Sequence, residues 1–165
     1  MPKRATAKRA KRKLREGKSP STAAGAFVHE EIEHVRQGKH GARSPQQAIA
    51  IGLSKARRAG VPLRPQKKGK AKEKTRTSER RAFKKGQSGK ARRASPRASR
   101  ARTRTLRKEP HRSASHRALA AHSRNASHRR TSRERRNAAM KAVKTKGKTG
   151  LKAAARKAAR TRSRH

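Results

Sequence analysis

The sequence predicts a mostly disordered chain with short α-helices, in which a small αα-hairpin at about residues 19 to 60 is flanked by basic disordered arms. Three observations lead there. The 165 residues carry 53 Lys and Arg against 8 acidic residues, a formal net charge of +45. Leu, Ile, Val and Phe together number 15, about 9% of the chain, where roughly 20% marks the edge of the disordered class at high charge. Most of the 28% hydrophobic content is alanine, which favours helix but buries little area.

Residues 1–18 hold nine Lys and Arg and one Glu and form a basic arm of the kind that binds nucleic acid. A nuclear-localisation signal matches the same run by composition.

Residues 19–60 differ, with six basic and three acidic residues and seven large apolar side chains: Phe27, Val28, Ile32, Val35, Ile49, Ile51 and Leu53. Ser19-Pro20 reads as an N-cap with proline at the first helical position, and Gly38 as the left-handed residue ending that helix. Ser44-Pro45-Gln46-Gln47 repeats the signal with a capping box, and Gly60 followed by Pro62 closes the second helix. Ala24, Phe27, Val28, Ile32 and Val35 follow one helical face, but Glu31 falls inside that stripe and must pair or reach water. On the second helix Ile49, Leu53 and Ala56 share a face with Ala48, Gly52 and Ala59, whose small size lets a partner helix come close. Lys39 to Arg43 joins the two helices into the hairpin. Seven large side chains are few for such a module, so self-association or a bound partner is expected to complete it.

Residues 61–165 carry 38 Lys and Arg and four Glu, with Pro, Gly, Ser and Thr scattered among them, and read as a disordered tail. Gln66 to Gly89 is a Lys-rich linker, and Lys90 to Arg107 has arginine at every second or third position. Ala114-Ser-His-Arg117 is echoed at Ala126-Ser-His-Arg129. Asn137 to Val143 and Leu151 to Arg160 alternate alanine with basic residues and are potential helices, separated by Gly147 and Gly150.

The Lys39-His-Gly-Ala-Arg-Ser-Pro-Gln-Gln-Ala-Ile-Ala-Ile-Gly-Leu-Ser-Lys-Ala-Arg-Arg-Ala-Gly60 stretch resembles a family of small basic bacterial proteins with a domain of unknown function. That resemblance covers about residues 19–64 and implies a bacterial origin and no particular activity. The Ala/Lys/Arg tail resembles those of bacterial proteins similar to linker histone H1, and Ser95-Pro96-Arg97 resembles the Ser-Pro-basic elements of such tails, which lie in the minor groove.

The charge points to a polyanion, because each phosphate neutralised by Lys or Arg releases condensed counterions. The residues expected to bind nucleic acid are Lys3, Arg4, Lys8, Arg9, Lys11, Arg12 and Lys13 in the first arm. Arg92, Arg93, Arg97, Arg100, Arg102 and Arg104 follow in the arginine-rich stretch, and Lys152, Arg156, Lys157 and Arg160 at the end. A flexible tail holds no side chain in register with base edges, so binding without sequence preference is expected. Phe27 and Phe83 are the only aromatics, which disfavours base stacking on single strands. The expectation is therefore a non-enzymatic, nucleoid-associated protein that binds and compacts DNA. An RNA- or ribosome-associated protein and a hairpin that docks a protein partner are the alternatives.

Catalysis finds little to work with, since the chain has no Asp and no Cys and offers no base and acid set beside a nucleophile. No catalytic residue and no cofactor is assigned. His29 and His34 are five apart, where the zinc-protease pattern needs four, and His111, His116, His122 and His128 are irregularly spaced among arginines, so no metal ligand is assigned either. Glu30 with His34 and His29 with Glu33 read as helix-surface pairs. Arg92-Arg-Ala-Ser95 could accept a phosphate, which would weaken binding locally. With no apolar run long enough for a membrane span and no secretory signal at the N-terminus, the expected location is the cytoplasm and its nucleoid.

Overall fold

A computed structural model describes residues 3–89 and 95–163. It overturns the expectation of disorder: the chain is 75% helical. Among the described residues there are seven α-helices and no strand: α1 (Arg4–Arg15), α2 (Pro20–Arg36), α3 (Pro45–Arg58), α4 (Glu73–Gln87), α5 (Pro96–Arg107), α6 (His116–His128) and α7 (Ser132–Arg162), with a 3-10 turn at Arg112–Ala114 before α6. The chain divides into two compact units, Met1–Ala120 and Ala121–His165.

The hairpin obeys its punctuation. Ser19 Oγ accepts the Thr22 amide and Ser44 Oγ the Gln47 amide, each with proline at the start of the helix. The capping box at Ser44 differs in one bond: the Gln47 side chain accepts from the Arg43 amide at 2.6 Å. Gly38 and Gly60 take φ of 70° and 86°, and the following amides of Lys39 and Val61 reach back to His34 O and Ala56 O. This pattern satisfies the last carbonyls of α2 and α3.

In the first unit α2 packs against α1 on one side and α3 on the other, and α3 also packs against α4. The buried face of α3 is the small-residue half of its predicted stripe, Ala48, Gly52 and Ala56, while Ile49 and Ile51 are half-buried. A Cβ on Gly52 would lie 2.7 Å from Val28 Cα, so the helix axes are drawn together at that crossing. Gly86 of α4 does the same against the Arg57 carbonyl. One core cluster gathers Ala10, Ala23, Ala24, Phe27, Ala56 and Val61. The other gathers Val35, Ala42, Ala48 and Ala114.

Each arm expected to be disordered is helical for a physical reason. The N-terminal arm is α1, which turns Thr6 and Ala10 inward with Ala7 and Leu14 partly buried against the Phe27 cluster. Much of the Lys-rich linker is α4. It is tied to α3 by Arg57 Nη2 to Glu79 Oε1 at 3.0 Å, a pair in which both side chains are buried or nearly so. Arg57 Nε also donates to Leu63 O, and the Gln66 amide donates to Glu79. Further along, the 3-10 turn buries Ala114 in the second cluster, and Arg36 Nε donates to Ala114 O at 2.9 Å. The hairpin's open faces are thus covered by segments of the same chain. Counting only large aliphatic residues misses this, because alanine and glycine gain contact from backbone proximity rather than from side-chain bulk.

In the second unit α7 has no buried residue. It forms from propensity and capping: Ala, Lys and Arg are strong helix formers, and Thr131 and Glu134 make a complete capping box. The two potential helices expected on either side of Gly147 are two arms of this one element, which departs from helical geometry at Gly147 (φ 64°, ψ 178°). No helix among the described residues is long and apolar enough to cross a membrane.

Candidate nucleic-acid interface

Among the described residues, the cations singled out in the sequence fall on three separate helices, with Lys3 at the N-cap of the first. On α1, burial of Thr6 and Ala10 turns the charged side outward, leaving Lys3, Arg4, Lys8, Arg9, Lys11 and Arg12 exposed and Lys13 half-buried. The Lys3 amide donates to Glu30 Oε1 at 3.0 Å, which pins the start of α1 to α2 while the Lys3 side chain remains in solvent.

Ser95-Pro96-Arg97 begins a helix, with Ser95 Oγ accepting the Ala98 amide and proline in the first turn. That helix, α5, buries nothing. Arg97, Arg100 and Arg104 lie on one side with Pro96, Ala101 and Thr105, as their spacing of three and four requires. Arg102 lies off that row, and its Nε donates to Ala98 O at 2.9 Å. Arg58, at the end of α3, has its pKa lowered, first by desolvation against the protein and then by the Arg102 guanidinium. Arg92 and Arg93 lie outside the described residues.

On α7, Lys152, Arg156, Lys157 and Arg160 are all exposed. Lys152, Arg156 and Arg160 recur every four residues, so like charges stack along one ridge at a cost of roughly 0.2–0.5 kcal/mol per neighbouring pair.

Of the cations on these ridges only Arg12 meets a glutamate in an ion pair among the described residues; the other carboxylates pair elsewhere, cap a helix or are buried. Glu16 pairs with Arg12 at 3.5 Å, Glu33 with Arg36 at 3.0 Å and Glu109 with Arg43 at 3.6 Å. Glu73 pairs with Arg76 and Arg80, and Glu79 with Arg57. Glu134 serves the α7 cap, while Glu30 and Glu31 are buried in α2. No acidic residue occurs between Pro96 and Arg107. No family model, curated protein or solved structure matches the chain.

A second constellation, which the sequence reading missed, surrounds Glu31. This carboxylate sits inside the apolar stripe of α2 with its side chain 1% exposed, and it pairs with Lys55 of α3. His40, from the loop between α2 and α3, brings Nε2 to 3.1 Å from Glu31 Oε1, and His34 brings Nδ1 to 4.0 Å from Oε2. The expected Glu30–His34 pair is present at 3.7 Å, though in a nearly buried setting rather than on the surface. His34 has its pKa lowered, chiefly by desolvation and next by the Lys55 ammonium, against the opposing pull of Glu30 and Glu31. His29 is exposed and takes no part. The only sequence signal for this site was Glu31 in an apolar stripe, since His40 lies outside the periodicity of either helix.

Proposed function

We propose that this chain is a non-enzymatic protein that binds and compacts double-stranded DNA in the manner of bacterial H1-like nucleoid proteins, without reading base sequence. The observation that carries the proposal is the sorting of charge: glutamates are engaged in pairs and caps, while basic side chains on α1, α5 and α7 face solvent, Arg12 with Glu16 being the one ion pair on these ridges among the described residues. Each phosphate met by such a side chain releases condensed counterions. The helices already fix the backbone that carries these cations, so little backbone ordering is left to be done on binding. Ordered helices could in principle read a groove, unlike a flexible tail. On α7, however, basic residues surround the helix with no apolar face to orient it, which favours phosphate contact over a fixed set of base edges.

Binding of a labelled duplex to the full chain tests this. Affinity is expected to fall about a thousandfold or more between about 50 and 200 mM salt, and to differ by less than about tenfold between A·T-rich and G·C-rich duplexes. Replacing Arg97, Arg100, Arg102 and Arg104 by Gln should make the log–log salt slope shallower by about 0.9 for each phosphate that is no longer neutralised. The quartet Lys152, Arg156, Lys157 and Arg160 should behave likewise. A truncation after residue 60 is no test, because Val61 and Glu79 belong to the first unit's packing. Salt-insensitive binding, or wild-type slopes in both quartets, would refute the proposal. Stronger competition from double-stranded RNA than from DNA would reassign the ligand.

A further inference from the structure

We propose that Glu31, His34 and His40 form a site for one divalent transition-metal ion of the zinc class, independent of any nucleic-acid binding. Each residue offers one ligand atom, and the three atoms lie within 4.8 Å of one another. Metal bonds of about 2.1 Å in a tetrahedral arrangement place ligand atoms about 3.4 Å apart, so a small inward movement of the trio completes the geometry. Two imidazoles and one carboxylate suit zinc, cobalt or nickel rather than magnesium or calcium, which prefer all-oxygen shells.

The state of Glu31 points to a ligand. Its Oε1 is buried and has no hydrogen-bond partner, although His40 Nε2 lies only 3.1 Å away. An orphaned buried carboxylate oxygen is costly. On the other side of its ring, His40 Nδ1 lies 3.0 Å from Gly41 O. A carbonyl only accepts, so Nδ1 carries the hydrogen and the Nε2 lone pair is directed to the Glu31 side. A backbone carbonyl fixing the tautomer of a ligating histidine in this way is a recurrent feature of metal sites.

The surroundings hold the trio in place. The Gly41 amide donates to Leu106 O at 2.8 Å and the Ala42 amide to Pro110 O at 3.1 Å, which fixes the loop carrying His40. Gly41 has no room for a side chain, since a Cβ there would meet Glu109 O at 1.7 Å. Lys55 bonds Glu31 Oε2 and leaves Oε1 for the ion. Glu30 Oε1, which accepts the Lys3 amide, lies 3.7 Å from His34 Nε2 and adds negative charge beside that ring. The histidine side chains are each 14% exposed, so an ion can enter from solvent and water can fill a fourth position.

The competing occupant is a second proton on His40, and metal titration separates the two. Metal-stripped full-length protein titrated with Co2+ should bind one equivalent with the intense visible bands of a four-coordinate ion, displaced by Zn2+ and not by Mg2+. His34→Gln and His40→Gln should each weaken binding by about tenfold or more, while His122→Gln should leave it unchanged, with helicity of each variant checked by circular dichroism. Should a variant lose its helicity, the wild-type chain decides: Co2+ at substoichiometric levels should broaden the His34 and His40 imidazole resonances before those of His116, His122 and His128. Absence of one-to-one binding, binding that survives both Gln variants, or earlier broadening of the other histidines overturns the site.

Discussion

Helices α1 and α7 are written in nearly the same alphabet and have opposite fates. α1 holds seven Lys and Arg in 12 residues, yet it turns Thr6 and Ala10 into the Phe27 cluster. α7 holds 12 Lys and Arg in 31 residues, a lower density, and buries none of its residues. The difference is periodicity. Thr6, Ala7, Ala10 and Leu14 recur on one side of α1, whereas the Ala, Met, Val and Leu residues of α7 are dealt round the helix. Charge density therefore does not decide whether a helix docks, because long basic side chains extend into water from the outer side whatever the inner side does.

Three substitutions test how separate these regions are. Phe27→Ala should have the largest effect, since Phe27 is the largest fully buried side chain and its truncation typically costs about 3–5 kcal/mol. Hydrogen exchange should show lost protection across α1, α2 and α3, with α7 peptides unchanged. Parallel loss in α7 would mean that the two regions share their stability. Gly52→Ala comes next. The new Cβ meets the Val28 backbone at 2.7 Å, and parting the helices should cost about 1–3 kcal/mol, read as a lower denaturation midpoint. Thr131→Ala is the smallest and runs the other way. It removes the hydroxyl that accepts the Glu134 amide at 3.2 Å, which should fray the first turn of α7 at about 1 kcal/mol while the exchange rates of α1 to α3 stay as in the wild type.

Signals carried by neighbouring residues were legible in the sequence. Ser19-Pro20, Gly38, Ser44-Pro45 and Gly60 mark the ends of α2 and α3 where the structure has them, and Glu31 in an apolar stripe announced a carboxylate that must pair or reach water, of which the structure has the pair, with Lys55. What could not be read are contacts between distant positions. Arg57 and Glu79 are 22 residues apart, and Gly41 meets Glu109 across the whole of α3, α4 and α5. No local pattern links such pairs, and without them the segments after residue 60 look like unsupported polycation. The exposed basic residues were legible because charge is a property of single residues. The Glu31, His34 and His40 cluster was not, because a loop residue enters it by tertiary folding alone.

Gly147 governs how far the last helix can reach. Its φ of 64° with ψ of 178° is a backbone state open almost only to glycine, although the space around it is empty. Any other residue would thus meet an obstacle of conformation, not of room, and the relaxed outcome is uninterrupted helix. Thirty-one residues of unbroken helix form a rod about 46 Å long. A single missing methyl group is what keeps that span articulated into two shorter levers.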